Sequence, residues 1–121
     1  MNITTRLICT VLLTTPAWVG AQTYPSKQLR VVIGFPAGGP IDIVGRMLSP
    51  RLAEAMGQSV IIDNRGGAGG TLGVDNVAKS SPDGYSIIMT STSLTVYPHV
   101  FLKLPFDIYR DLSPVTMVTT T

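Results

Sequence analysis

Twice in this chain a short β-branched run breaks off at a cluster of glycines and gives way to helical periodicity. The first run, Leu29-Arg30-Val31-Val32-Ile33-Gly34-Phe35, stops at Pro36-Ala37-Gly38-Gly39-Pro40. From Ile41 the apolar residues Val44, Leu48, Leu52 and Ala55 recur at helical steps, which puts one apolar stripe along a helix, and Gly57 is the C′ glycine that closes it. Pro50, inside that stretch, predicts a kink or two shorter helices. The second run, Ser59-Val60-Ile61-Ile62-Asp63, enters Asn64-Arg65-Gly66-Gly67-Ala68-Gly69-Gly70. A helix then reads from Thr71, its cap, to about Ser80, with Leu72, Val74 and Val77 or Ala78 inward. After the turn Ser81-Pro82-Asp83-Gly84 comes a third strand at 85–90, then a loop with a short helix from Pro98, and a fourth strand from Pro114 to Val118. Strands and helices alternating on short connections leave one fold class, α/β with a doubly wound parallel sheet and right-handed crossovers.

The start of the chain belongs to another category. Arg6, the apolar Leu7-Ile8-Cys9-Thr10-Val11-Leu12-Leu13 and the small residues Val19-Gly20-Ala21 have the order of a secretory signal peptide, residues 1–21. The apolar run falls far short of the roughly 20 residues that span a bilayer. Cleavage after Ala21 removes Cys9 and Trp18, the sole cysteine and the sole tryptophan. The mature chain then has no disulfide, thiol nucleophile or cysteine-based metal site. Charge is sparse, 13% of residues, and scattered to a net +2, so no basic run tracks a phosphate backbone and no nucleic acid is expected.

In doubly wound sheets ligands bind beyond the carboxyl ends of the strands. Those ends are followed here by segments 35–42, 63–71 and 90–94, and two of the three are glycine-rich loops that open helices. Such loops turn backbone N–H groups toward an anion, with the helix dipole adding to the attraction. Glycines also serve tight turns and close helix–sheet contacts, and either loop alone is explained that way. No lysine follows a glycine as a Walker loop requires, and Leu72 stands where a dinucleotide fingerprint needs its third glycine. A carboxylate is the other common anion that backbone N–H groups accept, and it fits an exported chain better. Catalytic groups are scarce. His99 is the sole histidine, and Asp42 and Asp63 read more simply as a helix N-terminal carboxylate and a strand-end partner of Arg65. An exported hydrolase or isomerase using Asp42, Ser91 or His99 is the alternative to a binding protein.

The same loops carry a resemblance. Tyr24-Pro25-Ser26-Lys27, Val31 through Asp42, Asp63-Asn64-Arg65, Gly67-Ala68-Gly69-Gly70, Pro82-Asp83-Gly84-Tyr85, Leu104-Pro105-Phe106-Asp107 and Asp111-Leu112-Ser113-Pro114-Val115 occur in the order of the Bug family. The chain thus resembles the periplasmic solute-binding receptors of tripartite tricarboxylate transporters. The resemblance implies a two-lobed Venus-flytrap protein of about three times the mature length here. It divides this chain into a signal peptide at 1–21, part of lobe 1 at 22–112, and a strand at 113–121 leading toward lobe 2. It also implies a monomer in the periplasm that hands a small organic carboxylate to inner-membrane permease subunits, without cofactor, metal or catalysis.

The carboxylate-binding residues implied are Phe35, Pro36, Ala37, Gly38, Gly39 and Asp42 in the first loop, and Asn64, Gly67, Ala68, Gly69, Gly70 and Thr71 in the second. Thr90, Ser91 and Thr92 form a third wall. Departures from the family pattern are Ile41 for Thr, Gly66 for Pro, and Tyr97 for the Asn common before Pro98; the last bears on which ligand is held. With Arg30, Arg46 and Arg65 as the basic residues near the loops, backbone amides are expected to supply most of the grip. A Cβ added at Gly39 or Gly69 is expected to crowd the anion or forbid a positive φ.

Overall fold

The computed structural model describes residues 23–119, so the signal-peptide expectation for 1–21 lies outside the described residues. Three strands, β1 (Leu29–Ile33), β2 (Val60–Asn64) and β3 (Ser86–Met89), form a parallel sheet of order β2-β1-β3. Two helices connect them, α1 (Pro40–Met56) and α2 (Thr71–Ala78), and two single-turn helices follow, α3 (Tyr97–Val100) and α4 (Ile108–Asp111). β1 is the central strand, and its run of Leu29, Val31, Val32 and Ile33 is buried because helices cover both faces. Gly45 of α1 lies over Ile33, Ile62 and Met89 on one face. On the other, Asn76 of α2 accepts a hydrogen bond from Arg30 Nη2 at 2.6 Å, and Val74 packs with Tyr97, Phe106 and Ile88. Doubly wound is therefore the right description, as the periodicities imply.

Four local expectations are corrected. α1 runs unbroken past Pro50, whose ring is exposed. The carbonyl that Pro50 leaves without its helical donor belongs to Arg46, and the Ser49 hydroxyl donates to it at 3.3 Å. Leu72 is 55% exposed, because α2 turns Thr71, Gly73 and Val74 inward instead. Thr71 does not cap α2; the N-cap is Gly70 in the left-handed region, and the threonine hydroxyl points back into the loop. Pro114 to Val118 pairs with no strand among the described residues and is exposed, since a β-branched run becomes a strand only where a neighbour offers a ladder. The sequence also gave no sign of α4, which Asp107 caps by accepting from the N–H groups of Tyr109 and Arg110.

Candidate functional site

The strands end at one level. Ile33 pairs with Asn64 on one side and Met89 on the other, so the segments beginning at 35, 64 and 90 emerge along one edge of the sheet. The first two touch backbone to backbone. A Cβ on Gly34 would stand 2.8 Å from the Gly70 carbonyl oxygen, and one on Gly73 would stand 2.7 Å from Gly34 Cα. Glycine at these points lets two loops share one small volume.

The first loop is braced by a buried carboxylate. Asp42, in the first turn of α1, accepts from Gly38 N–H at 2.8 Å and Arg46 Nε at 2.9 Å through Oδ2, and from Asn64 Nδ2 at 2.9 Å through Oδ1. Asn64 Nδ2 also donates to the Phe35 carbonyl at 3.3 Å, while Asn64 Oδ1 accepts from Arg46 Nη2 at 3.1 Å. Asp42 and Asn64 thus spend their polar atoms on each other and on the backbone of residues 35–38. The Arg46 guanidinium foremost, then the Gly38 and Asn64 donors, hold the Asp42 carboxyl down to about 2 from an ordinary 3.8, against the opposing effect of burial.

A depressed acid binds its proton more readily in the unfolded chain, so its contribution to stability is complete above about pH 4 and fades as pH falls toward 2. Urea midpoints of the full-length receptor measured between pH 5 and pH 2 are expected to drop through this window. Asp42→Asn, a weaker protein throughout, should show a shallower drop; equal slopes would mean that Asp42 is not the titrating brace.

Pro36, Ala37 and Gly38 are exposed at the rim, with Phe35 half-buried behind them. Gly38 takes the positive φ, +83°, whereas Gly39 has φ −76° and ψ 168°, an extended conformation open to any residue. The demand for glycine expected at Gly39 therefore sits one residue earlier, because the N-cap position is itself extended.

The second loop has a different logic. Gly67, Ala68, Gly69 and Gly70 have φ of 130°, 48°, 67° and 100°, four successive residues in left-handed territory. Three carbonyls of this turn are taken by internal donors. Gly67 O accepts from Gly70 N–H at 2.9 Å, Ala68 O from the N–H and hydroxyl of Thr71, and Gly69 O from the Tyr97 hydroxyl. Residues 66–69 form the exposed rim, and the N–H groups of Gly67, Ala68 and Gly69 are not spent on these bonds.

From β3, Thr90 is half-buried and its hydroxyl oxygen has no partner among the described residues. Ser91 and Thr92 are exposed, and Ser91 accepts from Ser93 N–H to start a 3₁₀ turn over Thr92–Thr95. The Ser91 and Ser93 hydroxyls lie 2.6 Å apart, and Ser93 Oγ donates to the Tyr97 hydroxyl at 3.3 Å. All three expected walls are thus joined. Tyr97 joins the second to the third, and it is absent from the residues expected to form the site. Its mark in the sequence was its departure from the Asn common before Pro98.

The acid–base alternative fares worse. Asp42 faces α1 and Arg46, whereas Asp63 turns to the other face of the sheet, beside Arg65 at 2.8 Å and Arg30 at 3.6 Å. His99 is exposed on α3. A groove of about 590 Å³ does exist, but it runs along α2 and reaches the second loop only at Arg65 and Gly66, with Arg30, Asp75, Asn76 and Lys79 among its other walls. Its cations are already paired, Arg65 with Asp63 and Lys79 with Asp75 at 2.7 Å.

The family model described as tripartite tricarboxylate transporter family receptor matches residues 44–121. The chain belongs to this receptor family. BugT of Bordetella pertussis is 40% identical over 102 residues, covering 83% of this chain and 31% of BugT. MatC from Rhodopseudomonas palustris, solved with bound malate, is 35% identical with a TM-score of 0.71 over 76% of this chain and 32% of that one. A second R. palustris protein, solved with adipate, is 34% identical with a TM-score of 0.65 over 69% of this chain and 28% of that one. The chain therefore spans about a third of the length of the relatives it matches. Membership places its sheet in the periplasmic binding protein fold and sides with a receptor over the hydrolase or isomerase. No helix among the described residues is long and apolar enough to cross a membrane.

Proposed function

We propose that these residues form the carboxylate seat in the first lobe of a periplasmic receptor that captures a small organic acid for a tripartite tricarboxylate-type permease. The observation that carries the reading is the pair of fused loops at adjacent strand ends, one braced by Asp42 and the other with its carbonyls turned to internal donors. A seat of that kind offers N–H groups and hydroxyls to an anion without a side-chain cation. The acid is held by the N–H groups that those bonds leave over, at Ala37, Gly67, Ala68 and Gly69, and by the hydroxyls of Ser91 and Thr92, with Pro36, Gly38, Gly39, Gly70, Thr71 and Thr90 shaping the seat. Asp42 and Asn64 act behind that surface. The binding of malate and adipate by two relatives of this fold supports a dicarboxylate of similar size as the ligand class.

The test is thermal stabilisation and calorimetric titration of the full-length protein, both lobes included, with malate, adipate and their neutral diamides, and with ATP. A ligand present at a hundredfold its dissociation constant stabilises by about 2.7 kcal/mol. At least one dicarboxylate should do so without being consumed. Turnover of a panel member with no stabilising ligand would make the protein an enzyme, and stabilisation by ATP alone would make it a nucleotide-binding module.

A further inference from the structure

We infer that Tyr97 is a positioning residue of this site: it makes the second loop receptive to an anion by masking the Gly69 carbonyl. The inference rests on the carboxylate reading above. A peptide plane has a negative and a positive edge, and a loop that is to hold a carboxylate must present the N–H edge and hide the oxygen. Between Gly67 and Gly69 each oxygen is hidden by a donor. A backbone amide serves Gly67 and α2's first residue, Thr71, serves Ala68, both from within the loop itself. Only Gly69 depends on a distant group, the Tyr97 hydroxyl, 28 residues further along the chain.

Tyr97 is built for the task. It is 4% exposed, packs edge-on against Phe101 with ring centroids 5.6 Å apart, and lies so close under the loop that a Cβ on Gly70 would meet its hydroxyl oxygen at 2.7 Å. Its own oxygen receives the Ser93 hydroxyl, which lies 2.6 Å from that of Ser91. The hydroxyl proton of Tyr97 is thereby directed to Gly69 and not back toward β3. Phenylalanine would keep the packing and lose the mask. The Gly69 carbonyl, left facing the ring without a donor, would then turn toward the exposed rim, where it repels a carboxylate and accepts from a neutral amide.

A residue needed only for folding would weaken every ligand alike, so the decisive measurement is a ratio. The full-length receptor and its Tyr97→Phe variant are titrated with malate and adipate and with the monoamide of each. Tyr97→Phe is expected to lose about tenfold in affinity for the diacid, about 1.4 kcal/mol, and little or nothing for the monoamide, so the acid-to-amide preference shrinks. An unchanged diacid affinity, or an equal loss for acid and amide, overturns the inference while leaving the receptor reading intact. Failure of the wild-type protein to bind any acid overturns the reading itself. Should Tyr97→Phe not fold, 4-fluorophenylalanine at position 97 carries the test, because its fluorine fills the place of the hydroxyl without donating to Gly69 O; an acid-to-amide preference equal to wild type would overturn carbonyl masking at this loop.

Discussion

Gly73→Ala is expected to destabilise the full-length receptor by about 3 kcal/mol, at the upper end of the cost of overpacking. By helix propensity alone the change should help, since alanine is favoured over glycine by about 1 kcal/mol in a helix interior. The geometry reverses the sign. The new methyl would lie 2.7 Å from Gly34 Cα, 3.1 Å from Gly34 N and 3.1 Å from the Arg65 carbonyl oxygen, all backbone atoms of the two strand ends. None can rotate away, so α2 must lift from the sheet or β1 and β2 must part beneath it. Gly45→Ala provides the contrast. Its methyl would meet Ile33 Cδ1 at 2.9 Å and Met89 Sδ at 3.4 Å, the movable ends of flexible side chains, and should cost under about 1 kcal/mol. Urea unfolding of both variants decides the matter: if Gly73→Ala costs no more than Gly45→Ala, contact between the two loops is not what fixes glycine at 73.

The difference between these two glycines was invisible in the sequence, and the reason is general to this fold. Val31, Val32 and Ile33 declare a buried strand by chemistry alone, and Ile41, Val44 and Leu48 declare a helix by period. The shared edge of the three loops follows from parallel strands joined by crossovers, whereas the strand order β2-β1-β3 is visible only in the structure. What a local pattern cannot carry is a contact between segments far apart in the chain. Gly73 against Gly34, Asp42 against Asn64 and Tyr97 against Gly69 are all of this kind. Asp42 and Asn64 accordingly read as ligand contacts when each was considered beside its own loop, whereas together they satisfy one another. Tyr97 read only as a departure from the Asn common before Pro98, and its burial depends on Val74 and Phe106 arriving from elsewhere. Leu72 shows the converse error. Its apolarity is genuine, but α2 is rotated by the close approach of Gly73, and that rotation puts Leu72 outside.

Gly69→Val should weaken carboxylate binding by the full-length receptor at least about a hundredfold, roughly 3 kcal/mol, whereas Arg65→Ala should cost no more than about fivefold. The valine is not excluded by crowding: its Cβ would sit 3.7 Å from Phe101 Cζ, an ordinary contact. It is excluded by conformation, since φ is +67° at this position and a β-branched residue there carries strain of about 1–3 kcal/mol. Relief comes by rotating the residue to negative φ, which swings the Gly69 carbonyl off the Tyr97 hydroxyl and re-aims the neighbouring N–H groups. Because residues 66–69 are exposed, the body of the sheet can survive that change while the seat does not. Arg65 is the natural rival for the anion, being the cation nearest the loop in sequence. Its guanidinium is 48% exposed and already bound to Asp63 at 2.8 Å, and it lines the groove beside α2. Titration of both variants with malate and adipate, once each is shown to melt cooperatively, separates the two grips. A greater loss in Arg65→Ala than in Gly69→Val would mean that the acid is held by a salt bridge in that groove, and the strand-end seat would be the wrong place to look for it.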